Sequence, residues 1–268
     1  MLSLLLAAAL LTDPPQYQVY AVRYATVADF PLRALVAGAP RGERIDIAMT
    51  YWVIKAPDGR VILFDAGFYR DKFMKQWKPR NYVRPDSALE RLGIAPAAVT
   101  DVVLSHIHWD HADGVDLFPD ARVWLQRDEY DYYVGAGGVP LHPAMDSLDA
   151  RMLFDLHAAG RVHLVPGDSA EVFPGIFAYT GGKHTYASEY LSVPTRSGTV
   201  VLASDNVYLY RNLDERRPIA QTLDSLSNLA AQRRMLRIAS RPGLIVPGHD
   251  PSVFARFPKV AEGIVRID

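Results

Sequence analysis

The 268-residue chain contains no cysteine. Disulfide bonds, thiolate metal ligands and a cysteine nucleophile are therefore excluded. A bound metal could be held only by histidine, aspartate or glutamate, a ligand set that suits zinc, manganese, iron or cobalt.

A surplus of charge of either sign is also missing. The chain has 29 lysine and arginine residues against 30 aspartate and glutamate residues, which gives a formal net charge of −1. Proteins that bind nucleic acids by neutralising phosphates need a basic surplus. We therefore expect no nucleic-acid partner.

The most apolar stretch, residues 2–11, is too short to cross a bilayer, which takes about 20 apolar residues. Small residues at Ala7 and Ala9 could mark a cleavage site, although a basic segment before the apolar run is missing. We interpret residues 1–15 as part of a signal peptide, so that the protein is periplasmic or secreted. The alternative is a short helix packed on the domain of a cytoplasmic protein. No other stretch has membrane-spanning length, so no stable membrane insertion is expected.

Apolar residues make up 49% of the chain, enough for a sizeable core, and their pattern predicts strands mixed with a few helices. The predicted strands cover residues 18–24, 45–54, 61–65, 102–104, 122–125, 162–165, 176–179, 190–193, 199–203 and 244–246. The predicted helices cover residues 87–93, 126–133, 145–158 and 222–239, the first with an N-cap at Ser87, and residues 70–85 are predicted to form an irregular surface loop. This mixture predicts an α/β fold with layered sheets. No linker interrupts residues 16–268, which we interpret as a single domain.

One segment is unusually rich in imidazole. Residues 104–112 read L-S-H-I-H-W-D-H-A and follow the predicted strand at 102–104. In an extended segment residues i and i+2 point the same way, so His106 and His108 should converge on one point. Asp110 and His111 follow where the chain must turn, and they could form a second group. The segment thus predicts two adjacent metal ions.

Further ligand candidates follow other predicted strands. His184 lies in a glycine-rich turn after strand 176–179, Asp205 follows strand 199–203, and His249 follows strand 244–246. Ends of buried strands are where sites collect in α/β sheets. The other histidines that we considered lack this placement and are interpreted as structural or surface residues: His142, His157 and His163.

The order of these residues is similar to that of dinuclear members of the metallo-β-lactamase superfamily. The segment S-H-I-H-W-D-H-A resembles the superfamily's signature, and residues 63–67, L-F-D-A-G, resemble its early strand-Asp-x-Gly element. The resemblance implies an αββα sandwich with two divalent ions, zinc first and cobalt, manganese or iron as alternatives. It implies that one ion is held by His106, His108 and His184, the other by Asp110, His111 and His249, with Asp205 bridging. Asp65 would accept a hydrogen bond from a ligand histidine.

Within the superfamily, the chain most resembles the N-acyl-homoserine lactonases. Tyr208 lies three residues after Asp205, Trp109 lies between the second histidine and the aspartate, and residues 247–251 read P-G-H-D-P. The absence of cysteine and the aspartate at the bridging position disfavour true β-lactamases. Two departures are the lead-in G-G-K-H at His184 and Ala-Asp-Gly after His111, and both lie in loops that shape the pocket.

The resemblance implies hydrolysis of a lactone ring, with a hydroxide between the two ions attacking the ester carbonyl. Tyr208 would stabilise the oxyanion, Asp110 would carry a proton to the leaving oxygen, and Phe68 and Trp109 would contact the acyl chain. The expected partner is a small acyl lactone, with N-acyl-homoserine lactones as the first expectation. Whether the protein forms a homodimer is left open. The alternatives are a hydrolase of organophosphates, phosphoesters or β-lactams, a non-hydrolytic iron reductase, and a binding module with a structural metal.

Overall fold

The computed structural model describes residues 15–268. The segment interpreted as a signal peptide lies, except for Pro15, outside the described residues. The export of the protein therefore stays a prediction, as do the single-domain interpretation and the homodimer. Among residues 15–268, no helix combines the length and the hydropathy that crossing a membrane would require.

Strands outnumber helices in the described part of the chain. The strands are β1 (Gln18–Pro31), β2 (Arg44–Lys55), β3 (Val61–Phe64), β4 (Asp101–Val103), β5 (Arg122–Gln126), β6 (Val162–Val165), β7 (Ala170–Phe173), β8 (Ile176–Thr180), β9 (Glu189–Thr195), β10 (Gly198–Ser204), β11 (Ile245–Pro247), β12 (Lys259–Ala261) and β13 (Ile264–Arg266). The helices are α1 (Asp71–Trp77), α2 (Pro85–Leu89), α3 (Trp109–Ala112), α4 (Arg127–Tyr133), α5 (Ser147–Ala158), α6 (Tyr210–Asp214), α7 (Ser225–Ile238) and α8 (Val253–Arg256).

The strands form two mixed sheets. The eight-stranded sheet has the order β12-β13-β1-β2-β3-β4-β5-β6, and the five-stranded sheet has the order β11-β10-β9-β8-β7. In the first sheet β3, β4, β5 and β6 run parallel, whereas β10 and β11 are the parallel pair of the second. The ends of these parallel strands, where site residues follow, therefore lie at the same edge of each sheet.

Alternation along the strands separates the core into layers, because successive side chains point to opposite faces of a sheet. On β1, Val19 and Ala21 belong to a cluster that also contains Leu191 and Leu202 of the second sheet. Tyr20 and Val22 instead join a cluster with helical residues, among them Phe73, Leu89 and Leu153. On the far side, Tyr190 and Val201 pack with Ala231 and Met235 of α7. Helices thus cover the outer faces of two stacked sheets, and the predicted αββα sandwich is confirmed.

Two local predictions were wrong. The segment predicted as an irregular loop contains α1, whose Phe73 is buried and whose Trp77 stacks on Phe30 at 6.2 Å between ring centroids. The helix predicted to begin at Ser87 begins at Pro85, because proline is pre-organised for the first helical position. The many basic and proline residues of segment 70–85 concealed the helical spacing of its apolar residues Phe73, Met74 and Trp77.

A buried ion-pair network ties the loop after β3 to two helices. The Arg70 guanidinium contacts the carboxylates of Asp113 and Asp149, and it lies 2.6 Å from the latter. Both carboxylates are fully buried. Asp113 also accepts hydrogen bonds from the backbone N–H groups of Tyr69 at 2.7 Å and Arg70 at 3.1 Å. The network fixes the path of the chain between β3 and α1.

We expect Arg70→Met to lower the free energy of unfolding by about 3 kcal/mol, because two buried carboxylates lose their cationic partner. Urea denaturation of the metal-free protein measures this change. Arg151→Met is the matched control, since Arg151 makes an exposed pair with Asp155 and should leave stability unchanged. Equal effects of the two substitutions would contradict a stabilising role for the network.

Candidate metal centre

The histidine-rich segment leaves β4 extended and then turns into α3. His108 has extended backbone angles (φ −64°, ψ 148°) and precedes the first residue of α3. His106 and His108 therefore converge as their spacing predicts, and their rings lie 4.7 Å apart. The turn of α3 brings Asp110 and His111 to the neighbouring side of the same centre.

The first group of potential ligands comprises His106, His108, His184 and one oxygen of Asp205. The Nδ1 atom of His108 lies 3.1 Å from Nε2 of His106 and 2.9 Å from Nε2 of His184. Asp205 Oδ2 lies 3.2 Å from Nε2 of His184 and 3.7 Å from Nε2 of His106. Three imidazoles and a carboxylate oxygen thus face one point.

The second group comprises Asp110, His111 and His249. Asp110 Oδ2 lies 3.5 Å from Nε2 of His111 and 3.7 Å from Nε2 of His249. Asp205 contributes its other oxygen here, because Oδ1 lies 2.9 Å from Nε2 of His249 and 3.3 Å from Nε2 of His111. The structure therefore brings all seven predicted ligands together, with Asp205 between the two groups.

Hydrogen bonds on the far side of the rings orient three of these histidines. His111 Nδ1 lies 2.8 Å from Asp65 Oδ2, His249 Nδ1 lies 2.9 Å from the Ala48 carbonyl, and His184 Nδ1 lies 2.8 Å from the Gln221 carbonyl. A ring that donates from Nδ1 keeps the lone pair of Nε2 free. In each case the free lone pair faces the cluster.

Asp65 is itself held at the base of the cluster. It accepts hydrogen bonds from the Ser105 backbone N–H at 2.8 Å, the Ser105 hydroxyl at 3.0 Å and the Ser204 hydroxyl at 2.8 Å. The backbone of Asp65 is left-handed (φ 66°), as is that of Ser204 (φ 45°). Such conformations are costly for residues other than glycine and collect at functional sites. The two serines were not predicted from the sequence, where nothing distinguishes them from other serines.

The cluster fits divalent cations. The buried atoms His111 Nε2 and Asp205 Oδ1 have no hydrogen-bond partner in the described part of the chain. Burial lowers the pKa of His108 to about 3 and that of His106 well below its usual range. Burial alone would raise the pKa of Asp205, but His249 and His111 hold it well below its ordinary value. Neutral imidazole and ionised carboxylate are the forms that bind metal.

A cavity of about 240 Å³ opens beside the cluster. Its polar lining consists of His108, Asp110, His184, Asp205, Tyr208, Gln221 and His249. Its apolar lining consists of Val27, Phe30, Leu35, Ile47, Met49, Trp77, Trp109 and Ala144. Neither lysine nor arginine occurs among these lining residues. The cavity lining thus combines the potentially metal-binding cluster with uncharged apolar side chains.

Tyr208 also lines this cavity and lies beside His184 of the first ligand group. Its hydroxyl oxygen is 3.1 Å from His184 Nδ1, whose proton can be shared between this oxygen and the Gln221 carbonyl. Burial, together with the charges of Asp205 and Asp110, raises the pKa of Tyr208 well above its usual value. The hydroxyl therefore stays protonated and can donate its own hydrogen into the cavity.

Of the two aromatic residues predicted to contact the acyl chain, the structure brings only Trp109 to the cavity. Phe68 is fully buried and lies behind Trp109, with 4.7 Å between the ring centroids. The hydrogen bonds that Asp113 accepts from the following backbone hold this loop against the core. Phe30 and Trp77 line the cavity instead. The apolar spacing of α1 could have pointed to Trp77.

The amino-acid sequence matches a known protein family and several known proteins. Residues 47–249 match the model of the metallo-beta-lactamase superfamily. The N-acyl homoserine lactonase AttM of Agrobacterium fabrum is 28% identical over 65% of this chain, and the match spans 66% of its own length, just under two thirds. An N-acyl homoserine lactonase of a Bacillus species is 24% identical over 78% of this chain and 84% of its own.

Solved structures share the fold. An N-acyl homoserine lactone hydrolase with the product N-hexanoyl-L-homoserine at its catalytic metal centre superposes with a TM-score of 0.73. The match covers 92% of this chain and 98% of that one at 19% sequence identity. At this identity the likeness concerns the fold.

We expect Asp65→Asn to weaken metal binding by roughly 10–100-fold, as is typical when a hydrogen-bond partner of a ligand histidine is altered. Asparagine tolerates the left-handed backbone, but its amide nitrogen must face one of the donors around Asp65. Competition with a chromophoric zinc chelator measures the affinity. Asp120→Asn, at an exposed position, is the control. Unchanged affinity in Asp65→Asn would show that Asp65 does not support the cluster.

Proposed function

Because the chain belongs to the metallo-β-lactamase superfamily, we propose that it is a metal-dependent hydrolase that opens the ring of N-acyl homoserine lactones. The observation that carries this proposal is a single cavity lined by a histidine–aspartate cluster, a tyrosine hydroxyl and an apolar wall. An acyl lactone has matching parts, a reactive ester and an apolar tail. The relatives named as lactonases support the same choice.

The charge of the cavity separates substrate classes. Phosphodiesters and β-lactams carry an anionic group, which proteins bind most often with arginine or lysine. The cavity lining offers neither of these side chains. A lactone with an acyl chain is neutral and needs none. A neutral organophosphate triester is the second candidate, because it also lacks charge.

The cluster would hold two divalent ions, zinc by our proposal, one in each ligand group with Asp205 between them. Divalent ions bound there would polarise the ester carbonyl and make water nucleophilic near neutral pH. Tyr208 donates its hydroxyl hydrogen to the carbonyl oxygen as negative charge develops on it. Asp110 lines the cavity, takes a proton from the attacking water and passes it to the leaving alkoxide.

The apolar wall holds the acyl chain. Trp109 and Trp77 stack at 5.4 Å between centroids, and Phe30 extends the stack from Trp77. All three rings line the cavity. Burial of each methylene of the chain would contribute about 0.8 kcal/mol. Longer acyl chains should therefore bind more tightly until the wall ends.

The first test is acid release by the zinc-loaded protein from acyl-homoserine lactones of short and long chain. Simple γ- and δ-lactones, a phosphotriester, a phosphodiester and a β-lactam complete the panel. We expect ring opening with kcat/KM rising with chain length, and we expect Trp77→Ala to reduce that rise while short chains react as before. The rate with short-chain lactones is thus the internal control for the Trp77→Ala protein. Triester hydrolysis without any lactone opening, by protein that holds two ions, would overturn the lactonase proposal.

We expect Tyr208→Phe to reduce kcat by about 10²–10³-fold, since losing one oxyanion donor typically costs about 2.7–4 kcal/mol. Steady-state kinetics gives the rate, and elemental analysis should still find two ions per chain. Tyr210→Phe is the matched control, because the buried Tyr210 hydroxyl has no hydrogen-bond partner among residues 15–268 and does not line the cavity. A Tyr208→Phe enzyme as fast as the wild type would exclude the role given to Tyr208.

A further inference from the structure

Two glutamate side chains are completely buried beneath the cluster, Glu129 on α4 and Glu189 on β9. Neither takes part in any of the ion pairs found among residues 15–268. Burying a carboxyl group away from water is costly unless hydrogen bonds compensate for it. Burial indeed raises the pKa of Glu129 to about 7 and that of Glu189 to about 8. We therefore looked for a role that would explain a glutamate at each of these buried positions.

The two carboxyl groups differ in what they contact. Glu129 Oε1 accepts a hydrogen bond from the backbone N–H of Ile107 at 3.3 Å, and its Oε2 accepts one from the N–H of Ala187 at 2.6 Å. Glu189 accepts a hydrogen bond from the side chain of Gln126, and its other oxygen has no hydrogen-bond partner in the part of the chain that the structure describes. Only Glu129 uses both oxygens on backbone groups of separate loops.

Those two loops carry the first ligand group. Ile107 lies between His106 and His108, and Ala187 follows His184 by three residues. The carboxylate of Glu129 therefore connects two segments that are far apart in sequence and that supply all three histidines of this group. A rigid link behind both loops fixes the spacing of the ligand nitrogens in front of them.

The second ligand group has other supports. His111 is oriented by Asp65 at 2.8 Å, and His249 by the Ala48 carbonyl at 2.9 Å. Neither contact involves α4. Loss of the Glu129 link should consequently affect one half of the cluster and leave the other half in place.

We propose that Glu129 is a positioning residue that sets the geometry of the first ligand group by hydrogen-bonding both loops that carry it. The inference rests on the metal centre of the proposed function, but not on a lactone as substrate. It assigns to α4 a task beyond packing, namely control of the affinity and coordination at one of two ions.

The test compares Glu129→Gln with Glu189→Gln, an identical change at an equally buried carboxyl. In Glu129→Gln the amide nitrogen must face one of the two backbone donors, so one hydrogen bond is lost. Cobalt(II) is titrated in competition with a chromophoric chelator to give both binding constants, and the visible spectrum of the bound cobalt reports its coordination. His184→Ala identifies which constant and which absorption bands belong to the first group.

We expect Glu129→Gln to weaken the first-group constant by at least about tenfold and to change its cobalt bands, with the second constant unchanged. Glu189→Gln should change neither. Wild-type constants and spectra in Glu129→Gln, or equal weakening at both ions, would overturn the proposal. Unfolding of the metal-free variants in urea separates these effects from a general loss of stability.

If Glu129→Gln does not fold, Glu129→Asp keeps the charge but is one methylene too short to reach both loops. The same selective loss is expected from it, and unchanged cobalt binding would contradict the proposal. All readouts are taken without substrate. A protein that opens no lactone therefore leaves this test intact, and a failure of this test leaves the lactonase proposal to its own panel.

Discussion

The candidate site depends on one buried carboxylate that contacts two groups of potential ligands at once. Asp205 directs Oδ2 to His184 and Oδ1 to His249, at 3.2 and 2.9 Å. A single side chain can do this only if its backbone is fixed closely. The glycine at position 248 allows the two backbones to pack closely, because a Cβ there would lie 2.9 Å from Asp205 Oδ1 and 2.8 Å from the Ser204 carbonyl. The parallel pairing of β10 with β11 brings these residues together.

The same constraint explains the hydrogen-bonded base of the cluster. Asp65 follows β3, Ser105 follows β4, and Ser204 ends β10, so that three strands from two sheets meet at one carboxylate. The left-handed backbone at Asp65 and Ser204 is held by this convergence. The sandwich therefore supplies more than support for its site, since the junction of its two sheets determines where the ligands lie.

Two kinds of side chain line the cavity. Ionised Asp205 and neutral His108 belong to the cluster, whereas Trp77, Trp109 and Phe30 form an aromatic stack. The aromatic side is assembled from β1, α1 and α3, elements that are separate in sequence. Since β1 and α1 carry no ligand candidate, Phe30 and Trp77 can change while the metal-binding side chains are kept.

From the amino-acid sequence alone, the α/β fold class and the candidate metal ligands could be predicted. Spacing after a strand makes His106 and His108 converge whatever lies around them, because alternation is a local property of the backbone. His184, Asp205 and His249 could also be found without coordinates, because each follows a predicted apolar strand, whereas Asp110 and His111 stand out by their place in the histidine-rich segment. The folded chain was needed to find that Phe68 lies behind Trp109, that Trp77 lines the cavity and that Glu129 links two distant loops. Those relations depend on which segments pack together, and no local pattern encodes contacts between residues so far apart in the chain.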